Sequence, residues 1–281
     1  MNRRNFVKTV SASAAAAMFF PHELFAAGKK KKIGIQLYSL RDQIGEDFLG
    51  TLGKISKAGY KLVEAAGYNE GKFYSYAPAE YKKIVKDLGM LPMSTHNGIS
   101  LESAGKVIED CAVAGMEYLV LPSIPAEKRK TIDDYKAIAD DFNKIGEQCK
   151  ASGLKFGYHN HAFEFEQMDG QTPYDVLLTR TDPKLVFFQI DFYWVAYGGR
   201  DAMEYFEKYP GRFALWHMKD MLDISSKKNV EVGSGFINFE EAFKIAKKTG
   251  MEYVFVEQEA YDMDPFVSIK KSFDYLNAIK F

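Results

Sequence analysis

The fold this sequence predicts is a single-domain (β/α)8 barrel, and three observations predict it. Eight short apolar runs alternate with eight longer segments of helical periodicity. Glycine ends five of the helical segments just before the next apolar run, at Gly59, Gly89, Gly115, Gly153 and Gly250, where helices use a left-handed residue to turn into a strand. Imidazoles and carboxylates gather where the apolar runs end, at His96, His159, His161, Asp191, His217 and Glu257. An open doubly wound sheet would instead need a glycine-rich turn after its first strand. The segment from Gln36 to Asp42 has none.

The elements follow in order. The first strand is IGIQLYS (33–39), followed by a helix over about 46–58. KLVEAA (61–66) is the second strand, with a helix beginning at Pro78. LPMSTH (91–96) is the third, with a helix over 100–114. EYLVLP (117–122) precedes a long helix over 132–151. KFGYHNH (155–161) is the fifth strand and leads to a helix over 173–180. LVFFQID (185–191) is the sixth and leads to one over 201–208. RFALWHMK (212–219) is the seventh, with a helix over 239–248. EYVFVEQE (252–259) is the eighth, and a helix over 265–279 closes the chain. Side chains alternate across a strand, and barrel chemistry sits at the C-terminal strand ends. The inward residues at that rim are then Gln36, Tyr38, Glu64, Ser94, His96, His159, His161, Gln189, Asp191, His217, Lys219, Glu257 and Glu259. Nearly all are polar.

The chain has 281 residues, 47% of them hydrophobic and 27% charged, with a net charge of −1. Setting aside residues 1–27, with Arg3, Arg4 and Lys8 against Glu23, leaves −3. A slightly acidic body of this kind offers no electrostatic footprint for nucleic acid. The first residues read as an address: Asn2 to Lys8 carries Arg3-Arg4 in a twin-arginine pattern, and an apolar stretch runs from Val10 to Phe20. That stretch is too short to span a bilayer, so residues 1–27 are expected to be a cleaved export signal and residues 28–281 a periplasmic domain without a membrane span. Cys111 and Cys149 fall in predicted helices without metal-ligand spacing, and two buried free thiols are expected. Nothing in the composition argues against a homo-oligomer.

Carboxylates and imidazoles converging from separate strands are costly to bury unless they share a proton, a cation or a substrate. A mixed shell of this type suits one divalent ion of the Mn, Zn, Co, Ni or Mg kind. Asp191, His217 and Glu257 are the expected ligands, with His159 as the fourth.

The phrases from Gly34 to Asp42, Tyr158-His159-Asn160-His161, Ile190-Asp191, His217-Met218-Lys219-Asp220, Gly233-Ser234-Gly235 and Val256-Glu257-Gln258 resemble the xylose isomerase-like TIM barrels, the sugar phosphate isomerase/epimerase group. The resemblance covers residues 33–281. It implies a metal-dependent enzyme acting on a small carbohydrate, a keto sugar or keto-glycoside, by removing a proton next to its carbonyl. In the family's ketose epimerases a Glu, an Asp, a His and a second Glu hold the metal. Asp191, His217 and Glu257 match the last three, and His159 stands where the first glutamate is expected. Glu257, His159 and Lys219 are the expected catalytic groups, with a histidine acid or Lys219 as base. Gln36, Tyr38, Glu64, His96, His161, Trp194 and Glu259 are expected to bind substrate, and Trp194 replaces a family histidine.

Isomerase or epimerase is the first expectation. Some exported relatives resemble lyases that eliminate the aglycone of 3-keto-glycosides, and the missing glutamate moves weight toward them. Related endonucleases that cut at abasic sites need more His and Glu ligands and a basic groove, which this chain lacks. A catalytically idle sugar-binding protein is the third reading. Gly233-Ser234-Gly235 offers an anion cradle or, more simply, a tight loop.

Overall fold

The computed structural model describes residues 32–279. The expected export signal lies outside them. Eight parallel strands close into a barrel: β1 Ile33–Gln36, β2 Leu62–Ala65, β3 Leu91–His96, β4 Tyr118–Leu121, β5 Lys155–His159, β6 Val186–Asp191, β7 Leu215–Met218 and β8 Tyr253–Val256. They pair in sequence order, and β1 closes the ring against β8 through Ile33↔Val254 and Ile35↔Val256. The principal outer helices are α1 Phe48–Ala58, α2 Pro78–Asp87, α3 Ala104–Ala114, α4 Ile132–Ala151, α5 Pro173–Arg180, α6 Ala202–Lys208, α7 Phe239–Lys244 and α8 Pro265–Ala278. The five predicted helix-ending glycines all adopt positive φ, between 72° and 118°. No helix among the described residues is long and apolar enough to cross a membrane.

Several strands stop earlier than their apolar runs. β1 gives way to a 3-10 turn at Leu37–Leu40, so Tyr38 sits on a turn. β5 ends at His159 and β8 at Val256, which puts His161, Glu257 and Glu259 on the loops beyond. The reason is local. A barrel strand needs neighbours on both sides, and pairing runs out at the rim, where the register ends at His159↔Gln189 and Val256↔Met218. The third helix starts at Ala104 rather than at residue 100, leaving 97–103 as a loop.

The barrel is packed in layers. Leu62, Tyr118, Val120, Leu215 and Phe255 fill its lower interior, with Phe187 and Tyr253 beside them. Gly34 and Gly157 have no side chain because ring atoms of Phe255 and Phe187 lie 2.4 Å from where a Cβ would sit. The larger core lies between sheet and helices and includes Trp216, Phe206, Tyr81 and Phe156. Each such side chain contributes about 1.5–3 kcal/mol on burial. A capping box between Thr131 and Asp134 starts α4, a device that stabilises a helix by about 1 kcal/mol. Above the apolar layers, the same alternation brings in polar residues.

Candidate metal and sugar site

Glu64, at the end of β2, is fully buried and hydrogen-bonded on both oxygens. Its Oε1 accepts from Gln36 Nε2 at 2.9 Å and from His217 Nε2 at 2.5 Å. Its Oε2 accepts from Ser94 Oγ at 2.6 Å and from Gln189 Nε2 at 2.8 Å. Burial pushes this carboxyl up, but His96, His217 and these donors outweigh it and hold it at about 2. Gln36 and Glu64 were expected at the substrate. They lie outside the cavity lining instead: Gln36 donates to Glu64 and accepts from Tyr38 N, and Glu64 is filled by its four donors.

The tautomers of two histidines follow from these bonds. Glu64 takes the Nε2–H of His217, which leaves Nδ1 as a lone pair in the neutral ring. His159 Nδ1 lies 3.2 Å from the carbonyl oxygen of Pro122, which can only accept, so Nδ1 carries the proton and Nε2 the lone pair. Asp191 ends β6 and caps the short helix Phe192–Tyr197, its Oδ1 accepting from Trp194 N at 2.9 Å. Its Oδ2 is left over. Asn160 holds the Asp191 backbone in place, accepting from its N–H at 3.1 Å.

These leftover atoms converge. His159 Nε2 is 3.5 Å from Asp191 Oδ2, His217 Nδ1 is 3.8 Å from the same oxygen, and His217 Nδ1 is 3.2 Å from Glu257 Oε2. The four residues each offer a ligand atom within 4.8 Å of the others, and all are buried. His159 Nε2 and Asp191 Oδ2 are buried without a hydrogen-bond partner among the described residues. Two acceptors facing each other with no proton between them repel, unless a cation lies between. The separations fit one, since ligands about 2.1 Å from a tetrahedral ion lie roughly 3.4 Å apart. Alternatively a proton relieves the convergence: burial pulls His217 down, but Glu64 and Glu257 outweigh it and hold its imidazole at about 10. Proton and metal compete for one place. Glu64, His96 and His217 also cluster, but the filled lone pairs of Glu64 make it a support for His217.

Above the cluster opens a cavity of about 410 Å³, lined by Tyr38, Tyr68, His96, Asn97, Gly98, Ser123, His159, His161, Trp194, Glu257 and Glu259 among others. Trp194 Nε1, His161 Nδ1 and Asn97 Nδ2 belong to residues of this lining and are buried without partners among the described residues. Such atoms are rare in folded proteins and mark a place where another molecule completes the bonding. His161 stacks on Phe163 at 5.7 Å and lies 5.2 Å from Trp194. Burial, then His159, lowers it to about 3, so it is neutral. His96 Nε2 meets Gln189 Oε1 at 2.6 Å and Glu64 Oε1 at 3.3 Å, so that nitrogen carries the proton. Burial brings His96 below the ordinary imidazole value.

Lys219 lies just past β7, 1% exposed, paired with Glu259 and 3.4 Å from Glu257 Oε2. Its ammonium sits over Trp194 at 4.8 Å and Tyr193 at 5.1 Å. Burial pulls Lys219 down, yet Glu257, Asp191 and Glu259 overcome it and hold the amine protonated. The expectation of Lys219 as a base is therefore corrected: in this surround it is a donor. Burial raises Glu257, but Lys219 and His217 outweigh it and keep the carboxyl well below the usual range. Burial raises Asp191 to about 6, against the opposing pull of Lys219.

The Gly233-Ser234-Gly235 loop is not an anion cradle. Asp220 Oδ2 accepts from Gly233 N and Gly235 N, both at 2.9 Å, and fills the amides a phosphate would need. Asn97, Tyr68 and Asn160 were not singled out from sequence. Asn160 alternates away from the interior between two inward histidines, and that phase was its only signal.

The family profile described as xylose isomerase-like TIM barrel matches residues 52–279. A crystal structure of a sugar phosphate isomerase/epimerase from Parabacteroides distasonis ATCC 8503 is 34% identical, with a TM-score of 0.81 over 91% of this chain and 97% of that one. The inosose dehydratase of Clostridium perfringens (strain 13 / Type A) is 31% identical over 156 residues, which is 48% of this chain and 50% of that protein. The match thus spans about half the length of that curated relative. The apo 3-keto-D-glucoside 4-epimerase of E. coli shares the fold, with a TM-score of 0.66 at 17% identity over 88% of this chain and 99% of that one.

Proposed function

The chain belongs to the xylose isomerase-like TIM barrel family, and from that premise we propose that it is a divalent-metal-dependent carbohydrate enzyme that removes a proton next to a sugar carbonyl. One observation carries the reading: His159 Nε2, Asp191 Oδ2, His217 Nδ1 and Glu257 Oε2 converge beneath a cavity with unpartnered polar atoms. In this proposal those four residues hold one ion of the Mn, Zn, Co, Ni or Mg kind. Such an ion, when bound, supplies Lewis-acid polarisation of a carbonyl.

The chain's own groups do the rest. Tyr38 and Trp194 offer flat faces to a sugar ring. His161 Nδ1 and Trp194 Nε1 meet its hydroxyls. A carboxylate whose oxygen is a metal ligand is a weaker base than a neutral imidazole. The base role therefore moves from Glu257 to His96, whose Nε2 is spent on Gln189 and whose Nδ1 stays open. His159, with its lone pair in the cluster, is a ligand rather than an acid. Lys219, an ammonium donor paired with Glu259, returns the proton.

Return of the proton to a neighbouring carbon makes the protein an isomerase, and return to the opposite face makes it an epimerase. The second reading is a lyase. Here the proton goes to His96, the bond to a β-oxygen breaks with its electron pair on that oxygen, and Lys219 protonates the leaving group. Similarity to an inosose dehydratase favours it, since dehydration is such an elimination.

The test is solvent exchange. Keto sugars incubated with the protein and Mn2+ in D2O should exchange a carbon-bound proton, seen by NMR. His96→Ala should slow the exchange by ~10²–10⁴-fold. Undiminished exchange in metal-free protein would sink the proposal, and tight sugar binding without exchange would leave an idle binding protein. We also propose that residues 1–27 direct export to the periplasm. Changing Arg3 and Arg4 to Lys should hold the protein in the cytoplasm, and an envelope form beginning at Met1 would refute this.

A further inference from the structure

Beside the sugar cavity lies a second and larger one, about 630 Å³, between the loop 98–103 after β3 and the loop 121–125 after β4, with one face of α4 as its floor. The two cavities share Gly98 and Ser123. Their characters differ. The first is polar and ringed by histidines, whereas the second sets an apolar wall of Ile99, Leu101, Leu121, Ile124, Ile138 and Phe142 against polar residues such as Ser100, Glu102, Lys128 and Asp141. Leu101 is left 37% exposed on this wall. A cavity of about 300–1,000 Å³ holds a whole small ligand, so the first is already sufficient for one sugar ring. The space next door exceeds what a monosaccharide needs, and its apolar wall fits a ring rather than a second set of hydroxyls.

The junction carries a second observation. Asn97, 4% exposed, directly precedes Gly98 and lines the sugar-side cavity. Its Oδ1 lies 3.3 Å from Thr95 Oγ1, a hydroxyl that also reaches the carbonyl oxygen of Ala65 at 3.4 Å, and its Nδ2 is buried without a partner among the described residues. A lone N–H donor at the seam between a polar and an apolar chamber calls for an acceptor that joins two unlike groups. The bridging oxygen of a glycoside is such an atom, because it accepts and cannot donate.

We propose that the groove is a second subsite, taking the apolar, ring-sized substituent of a glycoside whose sugar lies over the metal cluster. The assignment rests on the sugar-enzyme reading above and narrows it to sugars that carry an apolar aglycone. Free monosaccharides fill only half of the site.

Binding tests this without requiring turnover. Calorimetry on the full-length, Mn2+-loaded protein should find phenyl β-D-glucopyranoside bound ~10- to 100-fold more tightly than methyl β-D-glucopyranoside, the gain from burying one aromatic ring. Leu101→Asp and Ile138→Asp place a charge in the groove and should shrink that ratio severalfold. Leu101 is exposed, so the first variant keeps the fold, to be verified by its melting temperature. A phenyl-to-methyl ratio near one, a ratio unchanged in both variants, or no binding of either glycoside at millimolar concentration overturns the groove assignment. Proton exchange with keto sugars is read separately. Loss of exchange with the phenyl preference intact would strike only the enzyme reading, and the reverse only the groove.

Discussion

At the N-terminal end of the barrel, Tyr118 donates to Glu252 Oε2 at 2.6 Å, while Lys155 Nζ reaches Glu252 at 2.6 Å and Glu117 at 3.3 Å. At the C-terminal end, His159 Nε2 and Asp191 Oδ2 face each other across 3.5 Å with no partner among the described residues. Both ends draw on β5, which begins at Lys155 and ends at His159. At the lower end each acceptor meets a donor, and water reaches the half-exposed Lys155 and Glu252. At the upper end acceptors outnumber donors in a buried place. The lesson is that polarity at a strand end is not by itself a functional signal. The imbalance between donors and acceptors is, because burial makes an unmet lone pair costly.

The comparison can be broken most forcefully at Asp191. Asp191→Ala removes one of the converging lone pairs. It should cut bound metal, read by elemental analysis, from about one per chain toward none, and slow turnover by roughly 10³-fold, the effect of several kcal/mol of lost charge stabilisation. Retention of a full equivalent of tightly bound metal would show that the ion lies elsewhere.

A second test concerns Glu164, which holds the rim by accepting from His161 N at 2.9 Å and from Tyr158 Oη. Burial pushes its carboxyl up to about 7 from 4.5, against the opposing effect of Tyr158. A group raised on folding favours the folded state in its protonated form. Its contribution is complete below about pH 4.5 and is lost as pH rises through 7. The loss is on the order of 3 kcal/mol for this fully buried group. Urea denaturation at pH 5 and pH 8 should show that decline in the wild type and a flatter profile in Glu164→Gln. Equal slopes would mean that Glu164 is ionised throughout.

The smallest effect is expected at the lower end. Glu252→Gln breaks an ion pair whose side chains are 43% and 41% exposed, and exposed pairs contribute only about 0.2–1 kcal/mol. Stability should fall by no more than that, with metal content unchanged. A loss of metal would tie the two ends together and end the contrast drawn here.

Most of the barrel is legible in the residues themselves. Eight apolar runs, the helix-ending glycines and the parity of Leu215, His217 and Lys219 or of Phe255, Glu257 and Glu259 are local properties. Local sterics and alternation decide them. The same parity brings His159, Asp191, His217 and Glu257 to one rim. Which of the rim residues meets a ligand is another matter. Gln36, Glu64 and His96 share the inward phase, yet Glu64 and Gln36 lie outside the cavity lining, bonded to His217, Tyr38 and each other, while His96 lines it. Lys219 looked like a base until its surround of Glu257, Glu259 and Asp191 was in place. Asn97 became notable only when its Nδ2 was left buried without a partner among the described residues and Gly98 opened on two chambers. Alternation along a strand sets which way a side chain points, and only the packed barrel settles which donor it meets there, because those donors come from strands up to 153 residues away in the chain.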